Sequence, residues 1–117
     1  LTQYRAPKTL SGVQPALTVR VDNLDHSVSL KTFMKKNIQT YPRLGFRILD
    51  QKPILVNDQK AYVIDIKNPR SKRQLRQVVF LKNTTVVTLT CRAHEEAFTS
   101  AVQDCNQIIR NFAWKKD

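Results

Sequence analysis

The side chains best able to do chemistry here are two histidines, two cysteines and one dense run of cations. A metal site needs three or four His, Cys or carboxylate ligands at workable spacing. His26 and His94 stand far apart, and neither belongs to an HxH or HxxxH pair. His94 precedes Glu95 and Glu96, which suits a solvated or capping role at a helix start. Asp22 and Asp25 supply too few oxygens for a calcium loop. Cys91-Arg92-Ala93-His94 sets a thiol near a cation and an imidazole, an arrangement that can lower a thiol pKa. Cys91 also keeps step with Val87 and Leu89, however, and so reads as a small apolar filler on a strand. The sequence predicts no catalytic residue, no metal and no cofactor. With only Gly12 and Gly45, the chain also lacks the clustered glycines that let a backbone cradle nucleotide phosphates.

The cysteines raise a second question. A helix starting near Glu95 places Cys105 about ten residues along it, ~15 Å from its start, whereas a disulfide tolerates Cα separations of at most ~7 Å. That geometry favours two free, buried thiols. A bridge would require a helix that starts late or is broken, and an oxidising compartment.

Charge is the strongest functional signal. The chain has 117 residues and a net charge of +11. Residues 1–40 carry six basic and two acidic groups, residues 41–82 ten and three, and residues 83–117 four and four. The densest stretch runs from Lys67 to Arg76 and holds Lys67, Arg70, Lys72, Arg73 and Arg76 with no acid between them. Such a patch attracts an acidic protein partner or an anionic membrane surface, and the attraction weakens with salt. Nucleic acid is the alternative partner, but the run has no interleaved aromatics to stack bases and no recognition-helix pattern. A solvated hairpin is the simplest reading of the same residues. Lys31, Lys35 and Lys36 could extend the patch only if their helix turns its exposed face toward it.

These residues must be positioned by regular elements. Residues 1–15 lack a period and read as an irregular or edge-strand lead-in, and residues 16–117 as a single domain. Alternation predicts a strand from Ala16 to Asn23. A helix follows, capped by Ser27 or Ser29, with Leu30, Phe33, Met34 and Ile38 on one face and Pro42 stopping it. Four strands come next: Phe46–Val56 bent at Pro53, Lys60–Lys67, Gln74–Lys82 and Thr84–Cys91. Asn57-Asp58, Asn68-Pro69-Arg70-Ser71 and Asn83 supply short turns, so the sheet should be largely antiparallel. Val78-Val79-Phe80 and Val86-Val87 put apolar groups on both faces of their strands, which predicts layers on both sides. The last helix carries Phe98, Ala101, Val102, Cys105, Ile108, Ile109 and Phe112 at helical spacing, with Glu95 and Glu96 in its first turn. The fold class is α+β, an α/β/α sandwich.

Four stretches, read in order, resemble the PsbP/DcrB/Mog-type superfamily. They are Leu17-Thr18-Val19-Arg20-Val21 before Ser29-Leu30-Lys31-Thr32-Phe33, the segment Leu49 to Asn57, the segment Lys60 to Ile66, and Val86 to Cys91 followed by the helix to Phe112. Relatives often place Asn-Gly-Lys where this chain has Asn57-Asp58-Gln59, and Ser-Phe where it has Asn111-Phe112. The resemblance implies a PsbP-like binding or assembly module without catalytic residues. It also implies an extracytoplasmic setting, in the periplasm or envelope, as in lipoproteins, or in the thylakoid lumen.

Overall fold

A computed structural model describes residues 2–5 and 16–112. Among these residues six strands and two helices follow in the order β1 (Thr2–Arg5), β2 (Ala16–Asn23), α1 (Leu30–Arg43), β3 (Arg47–Val56), β4 (Gln59–Asn68), β5 (Arg73–Lys82), β6 (Thr85–His94) and α2 (Phe98–Arg110). The strands form one sheet in the order β1-β2-β6-β5-β4-β3, and every pairing is antiparallel. Within the expected lead-in, β1 pairs at one edge of the sheet, Thr2 to Val19 through Arg5 to Ala16. The rest of that lead-in, and residues 113–117 of the expected domain, lie outside the described residues.

Period-two alternation splits the apolar residues between two cores. Leu17, Val63, Val78, Phe80, Val87, Leu89 and Cys91 pack beneath α2 with Cys105 and Ile109. On the opposite face Ile64, Ile66, Val79 and Val86 pack beneath α1 with Met34. Each helix therefore covers one face, as the apolar residues on both sides of β5 and β6 require. Phe112 stacks on Phe80 with ring centroids 3.9 Å apart. No helix among the described residues is long and apolar enough to cross a membrane.

The helix ends differ from the sequence expectation in informative ways. Ser29 caps α1, its Oγ accepting from the Thr32 N–H at 3.1 Å. The helix runs one residue past Pro42 to Arg43. It ends where Gly45 adopts φ 87°, a left-handed conformation that suits glycine. There the Gly45 N–H donates to the Pro42 carbonyl at 3.1 Å and the Phe46 N–H to the Tyr41 carbonyl at 3.0 Å. This is a Schellman closure, and Phe46 and Tyr41 both pack in the α1 core as that motif favours. The β3 irregularity is a register shift at Leu49, between Ile48 and Asp50, and Pro53 stays in register with Tyr62.

The start of α2 corrects two expectations. The helix begins at Phe98, so Glu95 and Glu96 lie in the preceding loop. Cys91 and Cys105 are joined in a disulfide with Cα atoms 6.1 Å apart, and the expectation of free thiols fails. Distance along the helix was the wrong measure, because α2 folds back along β6. Cys91 lies three residues before the strand's end, about 10 Å at the strand rise. Cys105 lies seven residues into α2, also about 10 Å at the helical rise. The two displacements cancel and bring the sulfurs together.

Candidate functional site

Alternation along β4 and β5 divides the cationic run. Lys67 and Arg76 share the α2 face with Val63 and Val78, and each meets an acid there. Arg76 stands opposite Asp65 in the strand register and grips it with two bonds, Nε to Oδ1 at 2.7 Å and Nη2 to Oδ2 at 2.8 Å. Its Nη1 also donates to Asn106 Oδ1 on α2 at 3.3 Å. The hydrogen bond to Asp65 holds the guanidinium pKa above its usual value against the opposing effect of burial. Lys67 pairs with Glu95, and its ammonium holds the Glu95 carboxyl below the ordinary carboxylate range. These two cations join sheet to helix or loop and do not stand free for a partner.

Arg70, Lys72 and Arg73 remain exposed. Their turn is tied down: Asn68 Oδ1 accepts from the Arg70 N–H at 3.0 Å and the Ser71 N–H at 3.3 Å. The Lys72 N–H donates to the Asn68 carbonyl at 2.9 Å, and the Lys72 carbonyl accepts from the Glu95 N–H at 2.8 Å. Lys72 takes φ 57°, the left-handed conformation that lets the four-residue turn close. The three cations therefore project from a hydrogen-bonded platform.

Topology adds two cations that sequence reasoning missed. Arg47 opens β3 opposite Lys67, and Arg73 opens β5 opposite both Asn68 and His94. Arg43 occupies the last turn of α1, four residues before Arg47. One end of the sheet thus gathers Arg43, Arg47, Arg70, Lys72 and Arg73, all exposed. Antiparallel pairing supplied the missed signal, because the start of β3 must lie beside the end of β4. Lys31 lies in the first turn of α1 at the opposite end, where it lines an apolar cleft of about 870 Å³ with Leu30, Pro53, Leu55, Lys60 and Tyr62.

Two further clefts flank the helices. One of about 310 Å³ lies between α2 and β3, with the Arg76–Asp65 pair, Asp50, Lys52 and Arg110 in its wall. The other, about 420 Å³, lies beside α1 over β2 and β6 and is lined by Thr18, Thr88, Thr90, Gln77 and Arg92. Gln77 is fixed there, accepting from the Tyr41 hydroxyl and donating to Thr90 Oγ1. Asp22 pairs with Arg20 at 3.0 Å. Among the described residues no three His, Cys, Asp or Glu side chains come within metal-binding reach of one another.

No family model matches the chain. No curated protein matches it in sequence. Solved structures do share its fold. Over 99% of this chain and 83% of the other, it superposes with a TM-score of 0.85 on PA94 of Pseudomonas aeruginosa, a protein of unknown function, at 12% identity. Over 81% of this chain and 64% of the other, it superposes with a TM-score of 0.62 on cyanobacterial PsbP (CyanoP) from Synechocystis sp. PCC 6803, at 10% identity. The chain has the PsbP-like fold expected from its sequence.

Proposed function

We propose that this domain is a non-enzymatic docking module that engages an anionic surface through the cationic end of its sheet. The observation that carries the reading is the sorting of charge. Lys67 and Arg76 are neutralised by Glu95 and Asp65, while Arg43, Arg47, Arg70, Lys72 and Arg73 stay exposed at one end. Solvated cations of this kind steer an oppositely charged partner and contribute salt-sensitive affinity. Fold alone does not choose a partner, so the surface must. The disulfide supports an oxidising, extracytoplasmic setting such as the periplasm or a lumen.

Retention on immobilised polyglutamate across a salt series tests the reading. The triple variant R70E/K72E/R73E should elute at markedly lower salt with an unchanged circular dichroism spectrum. Unchanged retention would overturn it. Duplex DNA run in parallel tests the alternative, which gains support if DNA binds more tightly than polyglutamate with a steeper salt slope.

A further inference from the structure

The cationic end carries two apolar side chains that its charge does not require. Leu44, the C-cap of α1, is 68% exposed, and Leu49, at the β3 register shift, is 45% exposed. They bracket Arg47, and Arg43 directly precedes Leu44. The Leu44 N–H is already satisfied by the Thr40 and Tyr41 carbonyls, at 3.2 and 3.1 Å, so the backbone beneath the side chain is anchored.

We propose that this end docks on an anionic bilayer, with Leu44 entering the headgroup layer while Arg43, Arg47, Arg70, Lys72 and Arg73 meet lipid phosphates. This rests on the reading of the cationic end as the docking surface, and it names the partner. None of the three clefts described above is lined by any of these six residues, and exposed Leu44 among the cations matches an acyl boundary better than a carboxylate-rich protein surface. The cations are carried instead by a helix end, a strand start and a turn, a multipoint array that meets a fluid layer of phosphates without a fixed spacing. Apolar side chains set among cations are the usual composition of a surface that lies on a membrane. Nearby acids weigh on the other side: Glu95 is occupied by Lys67, and exposed Glu96 and Asp50, the latter next to Leu49, each subtract one charge.

Co-sedimentation with vesicles provides the test. Equimolar phosphatidylglycerol and phosphatidylcholine should bind the protein at low salt, and phosphatidylcholine alone should not. Each neutralised cation should lower the partition coefficient about fivefold, so R70Q/K72Q/R73Q should lower it about a hundredfold. Leu44→Asn should lower it about tenfold without altering the salt slope. Failure to bind the anionic vesicles, with polyglutamate retention intact, would remove the bilayer and leave the docking surface standing. Loss of retention on both would remove the surface as well. Wild-type binding by the Leu44→Asn variant would overturn the insertion.

Discussion

Cutting the Cys91–Cys105 bridge should cost this domain a large part of its stability. The bond spans 14 residues and joins β6, an interior strand of the sheet, to the middle of α2. Its two half-cystines are 0% and 1% exposed. In the chain-entropy treatment, closing a loop of this length removes about 10 cal/mol/K from the unfolded ensemble, or about 3 kcal/mol at 25 °C. A domain of this size has only about 5–15 kcal/mol in total. With a urea slope of about 1.5 kcal/mol/M, the midpoint of C91A/C105A should fall by about 2 M. Helix α2 keeps Phe98, Ala101 and Ile109 in the core, so it should stay folded yet lose hydrogen-exchange protection ahead of β5 and β6. Thiol titration of the denatured, unreduced protein should find no free cysteine among the two. Two titratable thiols, or equal urea midpoints for oxidised protein and double variant, would refute the reasoning.

Three further outcomes are expected. Arg76→Met leaves Asp65 without its partner at 14% side-chain exposure and should cost about 2 kcal/mol in urea unfolding, below the fully buried range because water still reaches the pair. The double change R76M/D65L should recover much of that loss. The Asn57 amide donates to the Arg110 and Phe112 carbonyls at 2.5 and 3.0 Å, closing the end of α2, while its own φ is 51°. Asn57→Gly should lose only the cap, about 1 kcal/mol, and Asn57→Ala should also strain the turn and lose about 2 kcal/mol in thermal unfolding. Glu95 has a lowered folded pKa because of Lys67, so its contribution is complete above the unfolded value near ~4.3 and disappears as pH falls through the folded one. The acid limb of a Tm-against-pH curve should therefore be shallower in Glu95→Gln, and a coincident limb would remove the pair from the account.

Local pattern made most of the architecture readable. Alternation in Val78-Val79-Phe80 already required two covered faces, and Asn57-Asp58 already required a tight hairpin, whose φ values of 51° and 62° match a type I′ turn. What stayed hidden depended on return paths. Cys91 and Cys105 meet because a helix doubles back on its strand, a fact that no count along one element contains. Lys67 to Arg76 looked like one patch because it was read as a line. On paired strands the same residues divide, so that Arg76 bonds Asp65 across the ladder while Arg73 stays in solvent. Arg43 and Arg47 join the surface from α1 and β3, although they stand 24 and 20 residues before Lys67 in the chain. Their contribution becomes visible only when strand direction is followed from one end of the sheet to the other.

The β3 margin of the sheet bears on how the molecule behaves at high concentration. An unprotected outer strand offers a row of free amides and carbonyls on which a neighbouring chain can nucleate, the first step toward fibrils or exchanged dimers. Here β3 is broken by a register shift at Leu49 and by Pro53, which has no N–H to give. That side makes a poor template. Strand addition along β3 should therefore be disfavoured, so contacts on that margin fall to side chains.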